Sequence, residues 1–206
     1  AMFGQSIVID PGHGGADPGK TGESGEHEAV INLAVALKLA EYCRAAGAEV
    51  TLTREGASAL ASPKREDMQA RVELARQAEA DIFISLHCNS FISGRGEHGA
   101  QIFYQRGNPE GKLLADTLQA EIKLTLNNTE RVALPHADSY LLKNIGGAAV
   151  VCEMGFLSNA EEESLLNDAD YQWQMAWALF RGINAYLAAP AEPELPAGPE
   201  PAADSG

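Results

Sequence analysis

Basic side chains are scarce in this 206-residue chain: 15 Lys and Arg stand against 29 Asp and Glu, giving a formal net charge of −14. A nucleic-acid backbone would be repelled by that excess, and no Lys/Arg-dense patch offsets it, so a nucleic-acid partner is excluded. Glu192, Glu194, Glu200 and Asp204 lie past the last basic residue, Arg181, yet the rest of the chain is acidic without them. Also missing is any uninterrupted apolar run of about 18 residues, so no membrane span is expected. The N-terminus has no basic stretch followed by an apolar one. Because a strand begins almost directly after Ala1-Met2, a signal peptide already removed is expected, with action outside the cytoplasm. Cys43, Cys88 and Cys152 show no C-x-x-C spacing, which excludes a disulfide framework and a thiolate zinc site and leaves buried thiols.

What is present is enough apolar residue, 45%, for one substantial core. Apolar runs at 7–9, 48–52, 82–86, 100–104 and 148–152 read as short strands, several buried on both faces. Helical patterns fall between and after them. Residues 28–46 place Val30, Leu33, Leu37 and Ala40 on one face and stop at Gly47. A second helix is expected over about 65–79 and a third over 109–126, with Pro109 in its first turn and Leu114, Leu118, Ile122 and Leu126 as its buried stripe. A short fourth begins at Ser158 and Glu161 as a capping box. The last, 169–188, sets Trp173, Ala176, Phe180, Ile183 and Leu187 toward the core. Strands alternating with helices predict a single-domain α/β fold, its sheet mainly parallel or mixed, with helices on both faces. The domain is expected to span 1–189. Residues 190–206, rich in Pro and Glu with one leucine, read as a disordered tail or linker.

Residues 14–21, GGADPGKT, match the phosphate-loop pattern after a strand. That motif needs a helix opening at its Lys-Thr, so that backbone N–H groups aim at phosphate. Here GESGE follows instead, Pro18 removes one N–H, and Asp17 sets a negative charge against the ligand. Nucleotide binding is therefore rejected.

Four other residues carry chemistry. His13 follows the first strand in IVIDPGHGG, Glu28 stands where GESGEHE gives way to the first helix, His87 lies in ISLHCNS, and Glu153 in VVCEMGFLSN. Two imidazoles and a carboxylate suit a catalytic zinc with one position left for water, and the fourth residue remains to handle protons. His27 competes with Glu28, but neighbours in a helix face different ways. Ile31 also occupies the place of the second histidine of H-E-x-x-H, so that motif is absent. Asp10 and Asn89 flank the histidines as groups that could orient them or form turns. Arg131 is a candidate for meeting a peptide carboxylate.

DPGHGG, GEHEAVINLAVALKL, GAEVTLTR, DIFISLHCNS and VVCEMGFLSN, in that order, resemble the zinc-dependent N-acetylmuramoyl-L-alanine amidases of the Amidase_3 type, from about residue 6 to 187. The resemblance implies zinc held by His13, Glu28 and His87, Glu153 as acid/base, and peptidoglycan as substrate. SPKREDMQAR, GAQIFYQRG, LNNTERVALP and SYLLKN further resemble the spore-cortex, germination (CwlD) type. Those enzymes act with a deacetylase to form muramic-δ-lactam. Two rival readings remain: a zinc carboxypeptidase or other peptidase, and a non-catalytic wall-binding module. No activating protein partner can be named from the residues.

Overall fold

The computed structural model describes residues 1–189; residues 190–206, and with them the expected tail, lie outside the described residues. The elements are β1 (Ser6–Pro11), α1 (Glu28–Ala45), β2 (Glu49–Leu52), α2 (Lys64–Gln77), β3 (Ile82–Asn89), β4 (Gln101–Gln105), α3 (Pro109–Leu126), β5 (Leu134–His136), α4 (Tyr140–Ile145), β6 (Ala148–Phe156), α5 (Ala160–Leu166) and α6 (Ala169–Ala188). The strands form one sheet in the order β2-β1-β3-β6-β4-β5. All neighbours are parallel except β4 and β6. The sheet is mainly parallel with one antiparallel pair, as the alternating elements led one to expect.

Strand alternation assigns each face its layer. Ile7 and Ile9, Ile82, Ile84 and Leu86, and Val150 and Cys152 point to one side and join the larger core with residues of α1, α3 and α6. Val8, Phe83 and Ala149 point to the other, where a smaller core forms with Ala75 of α2 and Leu141 and Leu142 of α4. The strands are apolar on both faces because both are covered. Each fully buried Ile or Leu contributes about 1.5–3 kcal/mol relative to exposure.

The face expected for α1 is corrected. Val30 and Leu37 are 50% and 41% exposed; of the expected face Ala40 is buried, with Ile31, Val35, Leu39 and Cys43. The helix is apolar nearly all round, so periodicity alone could not say which side faces the sheet. Its end is as expected: Gly47 N donates to Arg44 O and Ala48 N to Cys43 O, closing the last turn. On α6, Met175, Leu179 and Ile183 are buried, while Trp173 and Phe180 are half-buried and Trp177 is exposed. Those aromatics pack with Tyr42 in a cluster at the edge of the core, which Phe180 and Tyr42 also touch. On α5 the cap is Asn159, which accepts from Glu161 N and Glu162 N. The expected cap, Ser158, accepts from Phe91 N instead. β5 and α4 were not expected, since three exposed residues containing a proline and six residues after Ser139 are too short to show a period.

Candidate metal centre

On the face shared with α2 and α4, three neighbouring strands begin apolar and end polar. β1 carries Val8 then Asp10, β3 carries Phe83, Ser85 then His87, and β6 carries Ala149, Val151 then Glu153. Strand register pairs Asp10 with Ser85 and His87 with Glu153. The polar members gather at the C-terminal edge, where β1 has β2 on one side and β3 on the other. Open α/β sheets bind ligands at such a reversal of strand order.

There His13, Glu28 and His87 converge, each offering a ligand atom within 4.8 Å of the others. Glu28 Oε1 is the hub, 3.1 Å from His13 Nε2 and 3.1 Å from His87 Nδ1. The two rings meet edge to face with centroids 5.0 Å apart. Cys88 N donates to the same Oε1 at 3.1 Å, and Lys20 N donates to Oε2 at 2.8 Å. His27 is exposed and pairs with Thr21 Oγ1, away from the cluster. Cys88 and Cys152 are buried on the opposite face of the sheet.

Each imidazole is tied at its far nitrogen. His13 Nδ1 lies 3.0 Å from Asp17 Oδ2, which Lys64 Nζ also meets at 3.0 Å. Ser85 Oγ donates to Asp10 Oδ2 at 2.6 Å, which leaves it to accept from His87 Nε2 at 3.1 Å. With a metal bound, these contacts would hold the ring protons on His13 Nδ1 and His87 Nε2 and leave His13 Nε2 and His87 Nδ1 as the ligand atoms. Carboxylate or hydroxyl support behind a metal-binding histidine is the usual arrangement. Asp10 therefore reaches His87 through Ser85. The Asn89 side chain accepts from Ser90 N and its carbonyl from Leu157 N, so it joins the ends of β3 and β6 and does not touch the rings. Arg131 lies 4.8 Å over the Phe156 ring, donates to His98 O at 2.8 Å and pairs with Glu97.

The loop bearing His13 is held from beneath. His13 has φ of +62°, left-handed and strained for a residue with a side chain. Arg71, 1% exposed, donates to Asp10 Oδ1 (2.5 Å), Asp67 Oδ2 (2.8 Å), Pro11 O (3.1 Å) and His13 O (2.8 Å). Arg54 donates to His13 O (2.9 Å), Gly12 O (3.0 Å) and Ala29 O (2.7 Å). Glycine is required at two positions here. A Cβ on Gly12 would lie 2.2 Å from His87 Cε1, and one on Gly19, at φ of +70°, would lie 2.6 Å from Glu28 Oε2.

Ser85, Asp17, Arg54 and Arg71 were not singled out by the sequence. Ser85 had a usable signal, two residues before His87 on a strand and so on the same face. Asp17 entered only as an obstacle to phosphate. The phosphate cradle is indeed closed, because Gly19 N donates to Asp17 Oδ1 and Lys20 N to Glu28, and no helix opens before Glu28.

Electrostatics separate the two glutamates. Burial pushes the Glu28 carboxyl up, but hydrogen bonds and charge from His13 and His87 outweigh it and hold the group well below the usual carboxylate range. Burial lowers His13, and Glu28 and Asp17 more than restore it. Glu153 is raised, first by burial and then by the Glu28 anion, against His87 and His13. Its Oε2 is buried with no hydrogen-bond partner. Two imidazole nitrogens gathered on a carboxylate kept ionised, with an unpartnered carboxyl oxygen at the neighbouring register position, fit a zinc ion with a water.

A family model described as N-acetylmuramoyl-L-alanine amidase matches residues 7–185. The germination-specific N-acetylmuramoyl-L-alanine amidase of Bacillus subtilis is 35% identical over 200 residues, covering 93% of this chain and 84% of its own. The amidase LytC of the same organism is 32% identical over 189 residues, covering 90% of this chain and 36% of its own. Among solved structures, the CwlD amidase from Clostridioides difficile in complex with the GerS lipoprotein has a TM-score of 0.85 at 37% identity. That match covers 89% of this chain and 98% of that one.

Proposed function

The chain belongs to the Amidase_3 family of N-acetylmuramoyl-L-alanine amidases, and from that premise we propose that it is a zinc-dependent hydrolase of the spore cortex. The bond cut joins the lactyl carbonyl of N-acetylmuramic acid to the amino group of L-alanine in peptidoglycan. His13, Glu28 and His87 would hold the metal and Glu153 would move the proton. The observation that carries this reading is the buried, unpartnered Glu153 Oε2, set by strand register beside His87.

Zinc, when bound, supplies a water acidified toward a pKa of about 7 and an electrophile for the carbonyl oxygen. The chain's residues do the rest. Glu153, made more basic by burial, accepts the water's proton and returns it to the alanine nitrogen, which cannot leave as an anion. Asp17 and Ser85 keep His13 and His87 turned toward Glu28. Arg54 and Arg71 fix the backbone that carries His13.

Resemblance to a germination-specific relative supports a role in muramic-δ-lactam formation, outside the cytoplasm. The lipoprotein bound to the similar clostridial amidase supports a protein partner for this chain also. Metal analysis paired with mass spectrometry of peptidoglycan digests tests the chemistry. One zinc per chain and free stem peptides beginning at L-alanine are expected. Digests without such peptides, or release that persists after the metal is stripped, would overturn it.

A further inference from the structure

We propose that Lys20, with Arg95 on the facing lip, forms a subsite that reads a free carboxylate on the peptide arm of the substrate; this rests on the amidase reading above. A groove of about 240 Å³ lies beside Lys20. Its walls are the segments that run on from the site residues. Lys20 is pinned to Glu28, donating its N–H to Oε2 and accepting from Glu28 N, each at 2.8 Å. The opposite wall, Ser90 to Arg95, follows His87, and the floor, Leu157 and Ser158, follows Glu153. Leu157 N donates to Asn89 O and Phe91 N to Ser158 Oγ, both at 2.8 Å, so floor and far wall are joined. Because the Lys20 backbone bonds Glu28 directly, a peptide whose scissile amide lies at the cluster brings its next residue, about 7 Å along an extended chain, within reach of the Lys20 side chain.

Charge decides which arm belongs there. The chain carries −14 overall, yet two cations line this groove. Arg95 is paired with Glu23 across it, both side chains exposed. Lys20 is exposed and has no ion-pair partner among the described residues, which leaves a compact ammonium free. A recess of about 180 Å³ lined by His13 and His87 themselves, with Lys64 and Met68, has its lysine already engaged by Asp17. The acidic arm of the substrate therefore fits the Lys20 side. In a stem peptide the residue after L-alanine is glutamate joined through its side chain, so its α-carboxyl is free or amidated.

The test compares N-acetylmuramoyl-L-alanyl-D-glutamate, elongated through its γ-carboxyl, with the same compound amidated at the α-carboxyl. The full chain with zinc bound should prefer the free acid in kcat/KM by about tenfold, the worth of one partly exposed charge-assisted contact. Lys20→Gln should bring the ratio near one, and Lys20→Glu should invert it. Equal rates on both compounds in the unmodified chain, or a ratio unmoved by both substitutions, would overturn the subsite. Failure to cut either compound would strike the amidase reading itself.

Discussion

The buried guanidinium of Arg71 donates to the carbonyl of His13 at 2.8 Å while pairing with Asp10 and Asp67. One side chain thus joins the charge balance of the core to the backbone of a proposed metal ligand. Arg71→Met leaves Asp10 buried and uncompensated and should cost about 3–5 kcal/mol in urea unfolding. Arg71→Lys keeps the charge but not the fork that spans Asp67 and His13. It should lose less stability, yet zinc competition against a chelating dye should show weaker binding at temperatures where the protein is folded. Unchanged zinc affinity in the lysine variant would reduce Arg71 to a structural role.

How far the sequence revealed this site depends on how local each signal is. His13, Glu28, His87 and Glu153 stand at the ends of apolar runs or at a helix start, and they meet at one strand edge. Long regular elements were equally plain, α3 above all, whose limits match the expected ones. The clamp of Arg54 and Arg71 was not legible, because it bonds backbone carbonyls 25 to 60 residues away and no periodicity marks such a contact. The face of α1 was misjudged because a helix buried by two neighbours has no clear polar side.

Acid should destabilise the fold through Asp10. Burial pushes its carboxyl up, but the Arg71 charge and hydrogen bonds from Ser85 and Thr53 outweigh burial and leave it lowered. A lowered folded value means this stabilisation is complete above the unfolded pKa of about 3.9 and is lost as pH falls through the folded one. Asp10→Asn should be less stable near neutrality and lose less of its stability on acidification. Urea midpoints followed from about pH 7 to about pH 2 would show it, and parallel curves for the two proteins would count against the assignment.

Ser85 passes the Asp10 charge to His87, accepting from Nε2 at 3.1 Å while donating to Asp10 at 2.6 Å. Ser85→Ala frees the ring to turn and should weaken zinc binding about 10- to 100-fold, the usual effect of removing support behind a metal-binding histidine. Ser85→Thr keeps the hydroxyl and should restore most of the affinity. If alanine and threonine bind zinc equally, the hydroxyl does not orient the ring.

Glu153→Gln separates proton transfer from metal binding. The amide matches the carboxylate in size and stands outside the His13, Glu28 and His87 cluster, so zinc content should be unchanged. It cannot accept the water's proton, and turnover should fall about 10²- to 10⁴-fold, the range for a lost general acid/base. His13→Ala or His87→Ala should instead lose the metal, each removing a ring nitrogen 3.1 Å from Glu28 Oε1. Metal content and kcat measured together on the three variants distinguish the roles. A glutamine variant with full turnover would require some other base, and the orphaned Oε2 of Glu153 would then need a different explanation.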